Sequence, residues 1–264
     1  MVNPPVALTI AGSDSGGGAG IQADLKTFAM HQVFGTSVIT ALTAQNTVAV
    51  RGISPVPADF VAAQLTAVLD DLPVAAVKTG MLATPENVAL VASFAPRLPN
   101  LVVDPVLVAS SGARLFTPDA ERAYLDLLFP SATVVTPNLR EAGVLLGREV
   151  STVDDAVDAA RALAAFGPRC VVVKGGHLRG SAEAVDVVCA DGEIELLHAP
   201  WIDTPNNHGT GCTFAAATVA GLARGLSVAN ALAAAKTYVH NALSRSAKWS
   251  LGGGHGPLGW EVSP

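Results

Sequence analysis

Short runs of aliphatic and β-branched residues alternate with helical stretches along most of this chain. The runs are short and almost wholly apolar, which is typical of strands buried on both faces of a sheet. Their alternation with helices predicts a mainly parallel sheet that is covered by helices on both sides. The predicted strands are residues 6–10, 37–42, 74–77, 101–103, 133–135 and 171–173, and the predicted helices between them are residues 21–31, 58–69, 85–94, 118–129 and 152–166.

The last third of the chain predicts a hairpin and two more helices. Residues 184–190 and 193–199 flank Asp191 and Gly192, a turn signal that indicates an antiparallel edge of the sheet. Two Ala-rich stretches, residues 211–224 and 228–247, predict the final helices. The chain has no internal repeat and no break in composition, so residues 1–264 are predicted to form a single domain. In the helix at residues 58–69, the predicted core side carries Phe60, Val61, Leu65, Val68 and Leu69.

The composition excludes several classes of protein. Of the 264 residues, 50% are hydrophobic and 14% are charged, which favours a large buried core over disorder. The net charge of -6 and the lack of a Lys/Arg cluster argue against nucleic acid as a partner. The uncharged residues 33–50 include several Thr, Asn and Gln residues, which favours a strand and a polar loop over a membrane span.

The cysteines and the N-terminus indicate a cytoplasmic protein. Cys170, Cys189 and Cys212 are odd in number and widely spaced, so they predict neither a disulfide framework nor a metal site. No positive charge precedes Lys26, which argues against a secretory signal. These observations favour the reducing cytoplasm as the location.

A glycine-rich turn stands directly before the first Ala-rich helix, with the sequence NNHGTGCT at residues 206–213. Gly209 and Gly211 allow a tight turn that brings backbone N–H groups close to a ligand. A helix that begins there adds unpaired N–H groups and the positive end of its dipole, so the turn predicts an anion site. Cys212, at the edge of that site, is expected to have a stabilised thiolate and is a candidate base. The alternative is a structural turn in which Cys212 fills apolar space.

Polar residues follow several predicted strands at the point where each strand ends. Lys78, Asp104, Asn138 and Lys174 all hold such positions. Because the carboxyl ends of parallel strands meet at one edge of a sheet, a ligand site is predicted there. The chain lacks both the P-loop motif and the motif GxGxxG, so if the protein handles ATP, the turn at residues 209–212 is the candidate device for holding the phosphates. Glu141 stands three residues after Asn138, which also fits a helix capping box.

Taken together, these motifs resemble the hydroxymethylpyrimidine/phosphomethylpyrimidine kinases of thiamine biosynthesis. The resemblance implies a ribokinase-like fold, a three-layer α/β/α sandwich with a mainly parallel sheet and an antiparallel edge. It also implies that ATP with Mg²⁺ phosphorylates 4-amino-5-hydroxymethyl-2-methylpyrimidine and then its monophosphate, and that the enzyme is a homodimer. Related pyridoxal kinases share much of the motif set, so the alternatives are a pyridoxal kinase or a non-catalytic ligand-binding regulator. The matching segments are residues 11–27, 38–47, 136–141, 173–177, 208–213 and 254–258.

The resemblance places catalysis at the glycine-rich turn. It puts Cys212 where sugar kinases of this fold have a catalytic aspartate, so the thiolate could accept the proton of an alcohol. Gly209, Thr210 and Gly211 would offer backbone N–H groups to the transferred phosphoryl group. Gln45 carries a carbonyl beside an amide N–H₂ group, which matches a ring nitrogen next to an exocyclic amine and makes it the expected specificity residue.

The remaining roles have plain structural alternatives. Met81 and Val108 could enclose the ring or belong to the core, and Asp24 could contact substrate or lie on the polar side of its helix. His177 and His208 lack metal spacing and are expected to be hydrogen-bonding loop residues. The resemblance also assigns Gly12 to the substrate pocket. It implies that the nucleotide is bound by Lys174, Asn138 and Thr213, and that Mg²⁺ is bound through water by Asp104 and Glu141.

Three segments depart from the pattern of the resembled family. This chain has SSG at residues 110–112, PNNH at residues 205–208 and GGG at residues 252–254, where family members often carry KSG, KNTH and GKG. Each difference removes a cation or a hydroxyl group near the expected phosphates.

Overall fold

The computed structural model describes residues 3–107, 118–176 and 183–261. In these residues a single sheet has the strand order β3-β2-β1-β4-β5-β6-β7-β8-β9, and the central strands are parallel. This arrangement confirms the predicted fold class. The strands are β1 (Val6–Asp14), β2 (Phe34–Gln45), β3 (Val50–Pro55), β4 (Val74–Thr79), β5 (Leu101–Val103), β6 (Val134–Val135), β7 (Cys170–Val173), β8 (Glu183–Ala190) and β9 (Glu193–Pro200).

Helices cover both faces of the sheet because the buried strands are apolar on both sides. Alternate strand residues point in opposite directions, so Ala76 faces one helical layer and Val77 faces the other. One layer contains α1, α7 and α8, and the other contains α2, α3, α5 and α6. The helices are α1 (Gly20–Met30), α2 (Ala58–Asp71), α3 (Pro85–Ser93), α4 (Pro118–Ala123), α5 (Leu139–Leu146), α6 (Val153–Ala164), α7 (Thr210–Ala223) and α8 (Val228–Ser246).

Both edges of the sheet are antiparallel. The predicted hairpin is confirmed, with Ala190 paired to Glu193 and a tight turn at Asp191 and Gly192, whose φ angles are 51° and 83°. The other edge was not predicted from the sequence: β3 pairs with β2, which is longer than expected. Strand β3 contains Gly and Pro and is mostly exposed, so it lacks the apolar signal of a buried strand.

The predicted core side of α2 is only partly correct. Val61 and Leu65 are fully buried, and Val68 and Leu69 pack against the same core. Phe60, in contrast, is 62% exposed. It lies in the first turn of the helix, and spacing alone did not reveal its exposure. Among the helices of the described residues, none is long and apolar enough to span a membrane.

Candidate active site

A cavity of about 1050 Å³ opens at the carboxyl ends of the parallel strands. The loop after β1, the end of β2 and the ends of β4 and β5 contribute to its wall, together with the N-termini of α5 and α7. This is the edge at which ligands bind in open α/β sheets. We call the region around Gly12, Gln45 and Met81 the acceptor end, and the region around Asp104, Lys174 and Gly211 the phosphate end.

The glycine-rich turn leads into α7 as predicted. Gly209 has a φ angle of 84°, and a Cβ atom there would overlap the carbonyl oxygen of Gly18, so both the conformation and the close approach require glycine. The backbone N–H of Thr210 donates to Asn207 and that of Thr213 donates to Gly209. Within the described part of the chain, the N–H groups of Gly211 and Cys212 have no backbone acceptor. Two donors and the positive end of a 14-residue helix therefore meet at the cavity.

The charged side chains of the phosphate end lie close to this turn. Lys174 Nζ lies 2.8 Å from Asp104 Oδ1, and the Thr136 hydroxyl donates to the same oxygen at 3.1 Å. Burial lowers the pKa of Lys174, but the carboxylates of Asp104 and Glu141 outweigh it and raise that pKa overall. A Cβ atom on Gly211 would stand 2.9 Å from Lys174 Nζ, so glycine keeps the space between helix and lysine open.

Asn138 and Glu141 form the predicted capping box at the start of α5. The Asn138 side chain accepts from the N–H of Glu141 at 2.9 Å, and Glu141 Oε2 accepts from the N–H of Asn138 at 2.9 Å. Both residues line the cavity. Burial raises the pKa of Glu141 to about 8, against the opposing effect of Lys174.

The donor set at the phosphate end fits Mg²⁺ held mainly through water. Asp104 and Glu141 line the cavity and carry carboxyl groups, which in their ionised form are the ligand type that this hard cation prefers. Among the described residues, no group of three or more His, Cys, Asp or Glu side chains is placed to enclose a metal ion. A hydrated ion that is also bound by phosphate oxygens needs no such enclosure.

Cys212 lines the cavity at the first turn of α7, but its thiolate is not stabilised as the sequence suggested. Burial raises the pKa of the thiol to about 11, and the carboxylates of Asp24 and Asp104 add to this while Lys78 opposes it. The expectation of a stabilised thiolate is therefore wrong for the ligand-free protein. Helix position alone did not reveal the acidic groups that come from other elements.

Gly12, Gln45 and Met81 meet at the acceptor end. A Cβ atom on Gly12 would lie 2.5 Å from Met81 Cε, so glycine allows the thioether to lie against the end of β1. The Ser15 hydroxyl holds the backbone of Gln45, accepting from its N–H and donating to its carbonyl, both at 2.8 Å. The side-chain amide of Gln45 remains in the cavity wall.

A hydrogen-bonded pair at the acceptor end was missed by the sequence reasoning. The carboxylate of Asp14 accepts from the N–H groups of Gly16, Gly18 and Ala19, and its Oδ2 lies 2.9 Å from His208 Nε2. Burial favours the neutral acid, but the His208 and backbone hydrogen bonds prevail and lower the pKa of Asp14. This contact joins the glycine loop after β1 to the turn before α7, and His208 is a hydrogen-bonding loop residue as predicted.

Two predicted binding residues lie away from the cavity wall. Asp24 is wholly buried, with Oδ2 2.9 Å from Lys78 Nζ and 2.6 Å from the Thr9 hydroxyl. Thr213 is also fully buried, and its hydroxyl accepts from Trp260 Nε1 at 3.0 Å. Asp24 thus lies under the site as the partner of Lys78, which does line the cavity, and Thr213 belongs to the packing behind α7.

Other predicted positions cannot be placed, and one charged pair was not anticipated. Val108, the residues 110–112 and His177 lie outside the described residues. Lys236 Nζ lies 2.7 Å from Asp186 Oδ2, while Asp186 Oδ1 accepts from the N–H of Gly175 at 2.9 Å. Lys236 and Asp186 line the cavity but are far apart in sequence, so no motif linked them.

A mainly parallel sheet, a helix N-terminus with free N–H groups and a cavity with one charged end define the class of ribokinase-like small-molecule kinases. The family model described as phosphomethylpyrimidine kinase matches residues 14–259. The chain belongs to this family and is therefore a phosphotransferase.

Named relatives agree with this assignment. The chain is 50% identical over 256 residues to a hydroxymethylpyrimidine/phosphomethylpyrimidine kinase of Rhizobium meliloti, covering 96% of each chain. Among solved structures, an ADP complex of Bacillus subtilis pyridoxal kinase matches with a TM-score of 0.90 and 41% identity, covering 97% of each chain. The phosphomethylpyrimidine kinase of Clostridium difficile matches with a TM-score of 0.79 and 38% identity, covering 90% of this chain and 99% of that one.

Proposed function

We propose that this enzyme transfers the terminal phosphoryl group of ATP to 4-amino-5-hydroxymethyl-2-methylpyrimidine, and then transfers a second one to the resulting monophosphate. The observation that carries the proposal is the shared cavity. Gln45, whose side chain can pair with an aminopyrimidine, and the free N–H groups of Gly211 and Cys212 belong to the same wall. The family relatives support the same pair of reactions.

At the phosphate end, the protein positions and neutralises the transferred group. The N–H groups of Gly211 and Cys212 and the dipole of α7 stabilise negative charge on the phosphoryl oxygens. Lys174 adds a full positive charge, and Asp104 holds that side chain in place through the ion pair. Such preorganised donors suit phosphoryl transfer, which needs positioning and charge stabilisation more than covalent help.

Asp104 and Glu141 are the residues that would hold Mg²⁺ through water. The bound ion would neutralise charge on the phosphate oxygens during transfer. Asn138 keeps Glu141 in place through the capping box, so the carboxylate is oriented before any ligand arrives.

Cys212 is the proposed acceptor of the hydroxyl proton in the first reaction. Because the pKa of its thiol is about 11 in the ligand-free protein, the thiol must first lose its own proton to solvent, and only this minor thiolate form can accept the hydroxyl proton during phosphoryl transfer. Lys78 is the cation that favours the thiolate at this place. The second acceptor is an ionised phosphate, which needs no base, so Cys212 matters chiefly for the first reaction.

Recognition of the ring falls to the acceptor end. The carbonyl and N–H₂ groups of Gln45 pair with the exocyclic amine and the adjacent ring nitrogen of the substrate. Met81 supplies an apolar, polarisable surface against the ring, and Gly12 leaves room for it. Pyridoxal has no such paired edge, which is why Gln45 separates the two substrates.

A pyridoxal kinase is the second candidate, because the pyridoxal kinase of Bacillus subtilis matches this chain with a TM-score of 0.90. A non-catalytic regulator is the third, and the intact anion turn argues against it. The test is an assay of ADP release with the aminopyrimidine alcohol, its monophosphate and pyridoxal. We expect turnover with the first two at the higher kcat/KM; a higher value for pyridoxal would overturn the proposal, and no release with any of them would indicate a regulator.

We also propose that two copies associate and that the enzyme works in the cytoplasm. Leu42 in β2, Ile53 in β3 and Phe60 in α2 are 52%, 39% and 62% exposed, and such exposed apolar side chains support an interface. The three free cysteines support a reducing compartment. Sedimentation equilibrium tests the first statement, and a single species of monomer mass at micromolar concentration would contradict it.

A further inference from the structure

The side-chain amide of Gln45 lies between two hydrogen-bonding partners. Its nitrogen is 3.4 Å from His208 Nε2, and its oxygen is 3.2 Å from the Thr43 hydroxyl. The Ser15 hydroxyl fixes the backbone of Gln45, and rotation of the terminal amide by 180° leaves the rest of the side chain in place. This 180° rotation of the Gln45 amide exchanges the positions of its oxygen and its nitrogen. The hydrogen-bonding partners, His208 and Thr43, therefore decide which of the two orientations is more stable.

His208 presents a hydrogen and not a lone pair at Nε2. This atom is 2.9 Å from Asp14 Oδ2. The Asp14 carboxylate also accepts three backbone N–H groups and can only accept, so the hydrogen between the two residues must be on Nε2. An amide nitrogen facing Nε2 would bring two donors together, whereas an amide oxygen there can share the Nε2 hydrogen with Asp14 Oδ2, as the longer branch of a three-centre hydrogen bond.

The Thr43 side requires the same orientation. The Thr43 hydroxyl is 3.0 Å from the carbonyl oxygen of Ser13, which can only accept, and 3.2 Å from the Gln45 amide, so we assign the single hydroxyl hydrogen to the shorter contact with Ser13. The lone pairs of Thr43 Oγ1 then face Gln45. An amide nitrogen is the group that can donate to them.

We propose that His208 is a specificity-determining positioning residue, which holds the Gln45 amide with its oxygen toward His208 and its nitrogen toward Thr43. This inference rests on the proposed function and deepens it. The imidazole is itself held firmly, because the backbone N–H of His208 donates to Gly256 at 3.0 Å and the ring packs so closely on Gly18 that a Cβ atom there would overlap it. Asp14, Gly18 and the C-terminal segment thus fix the donor from three sides.

This orientation determines which way round the pyrimidine binds. The exocyclic amine must face the Gln45 oxygen on the His208 side, and the adjacent ring nitrogen must face the Gln45 nitrogen on the Thr43 side. In the substrate, the hydroxymethyl group is on the carbon next to the one that carries the amine. It therefore extends beyond the amine toward the turn that contains His208, Gly209 and Cys212, where the phosphoryl group is expected. The opposite amide orientation would direct it away from that turn.

The test compares the aminopyrimidine alcohol with its 4-oxo analogue, whose ring nitrogen donates and whose exocyclic oxygen accepts. Dissociation constants of both ligands are measured by calorimetry for the wild-type enzyme, His208→Leu, His208→Gln and Gln22→Met. The glutamine variant keeps an N–H donor near the position of Nε2. The Gln22 variant is the matched control, since Gln22 tethers the same loop through Asp14 N–H and Ser13 without lining the cavity.

For the wild type, we expect the 4-oxo analogue to bind at least about 100-fold more weakly than the amine. In His208→Leu the amide is free to turn, so this ratio should fall about 10-fold, while His208→Gln restores most of it. Gln22→Met should weaken both ligands and leave the ratio unchanged. An unchanged ratio in His208→Leu, or an equal fall in Gln22→Met, would overturn the inference while leaving the proposed function intact. If the wild-type enzyme binds no aminopyrimidine at all, the inference about His208 and the proposed function are both wrong.

A measurement on the wild-type enzyme avoids dependence on the folding of a variant. In protein labelled with ¹⁵N at glutamine side chains, the Gln45 amide hydrogens should show nuclear Overhauser effects to the methyl group of Thr43. Effects to the His208 ring hydrogens instead would contradict the assigned orientation.

Discussion

The two ends of the cavity differ in the kinds of chemical group that line them. The phosphate end brings together a buried ion pair between Lys174 and Asp104, the carboxyl group of Glu141 and the N-terminus of α7. The acceptor end offers an amide, hydroxyl groups and a thioether, and the carboxylate of Asp14 there is already hydrogen-bonded to His208. Charge handling and substrate choice are thus located in separate groups, so single substitutions should affect one without the other.

The largest expected effect comes from closing the phosphate end. In Gly211→Val, the added carbon atoms would occupy the space beside Lys174 Nζ and keep the phosphate from the N–H groups of α7. We expect kcat/KM to fall about 100-fold or more with both acceptors, as measured by ADP release. The control is Gly52→Val in β3, where a Cβ atom has only an ordinary contact with Ala44; a comparable loss there would contradict the account.

Cys212→Ala separates the two reactions that share the phosphate end. Only the first acceptor must lose a proton, so the rate with the alcohol should fall about 100-fold and the rate with the monophosphate by much less. Single-turnover measurements with each acceptor give the comparison. Equal losses would show that the thiol contributes packing or positioning and not proton transfer.

Gln45→Leu should weaken substrate binding at the acceptor end and leave ATP binding at the phosphate end unchanged. The KM for the aminopyrimidine alcohol should rise about 10-fold to 100-fold, because the amine and ring nitrogen lose their partners in a water-excluded site. The KM for ATP should stay unchanged, since Gln45 belongs to the other end. Initial rates over a matrix of both substrate concentrations measure both values, and a parallel rise in the KM for ATP would contradict the separation of the ends.

The pH dependence of the rate of Cys212 alkylation tests the protonation state of the thiol at the phosphate end. Burial and nearby carboxylates favour the neutral thiol, so the reactive thiolate is scarce at neutral pH and increases as pH rises toward a pKa of about 11. Alkylation of Cys212 by iodoacetamide, followed by mass spectrometry, should therefore accelerate about tenfold per unit between pH 7 and pH 9. A rate that is already constant above pH 8 would show that the pKa is near neutral. Cys170, buried in the core with a pKa raised to about 12, is the internal control and should react more slowly.

The smallest effect is expected from removing either of two helix caps, one in the cavity wall and one far from it. Asn138 caps α5 beside the phosphate end, and Thr152 caps α6 at the surface. Each alanine variant should lower the free energy of unfolding by about 1 kcal/mol in urea titrations. Only Asn138→Ala should also lower kcat/KM, since it releases Glu141. Loss of activity in Thr152→Ala would mean that helix stability and not the site is responsible.

The sequence predicted those parts of the molecule that depend on local pattern. Alternating apolar runs indicated the central sheet, the turn at Asp191 and Gly192 indicated one antiparallel edge, and the three-residue spacing of Asn138 and Glu141 indicated a capping box. The rule that strand ends meet at one edge also predicted that Asp104 and Lys174 would lie together. All of these depend on short-range periodicity or on topology.

The features that escaped prediction depend on long-range contacts. Asp14 and His208 are 194 residues apart, and neither has a neighbour in sequence that points to the other. The raised pKa of Cys212 follows first from burial and then, against the effect of Lys78, from Asp24 and Asp104, which are distant from it in the sequence. Strand β3 was missed because its residues are exposed and are ordered through pairing with β2.

The most direct test is a crystal structure of the enzyme with the aminopyrimidine alcohol, Mg²⁺ and a non-hydrolysable ATP analogue. The account predicts that the terminal phosphate accepts hydrogen bonds of about 3 Å from the N–H groups of Gly211 and Cys212, and that the ring pairs with Gln45 with its hydroxymethyl oxygen toward Cys212. A terminal phosphate bound elsewhere, for example at Lys236, or a ring that makes no contact with Gln45, would contradict it.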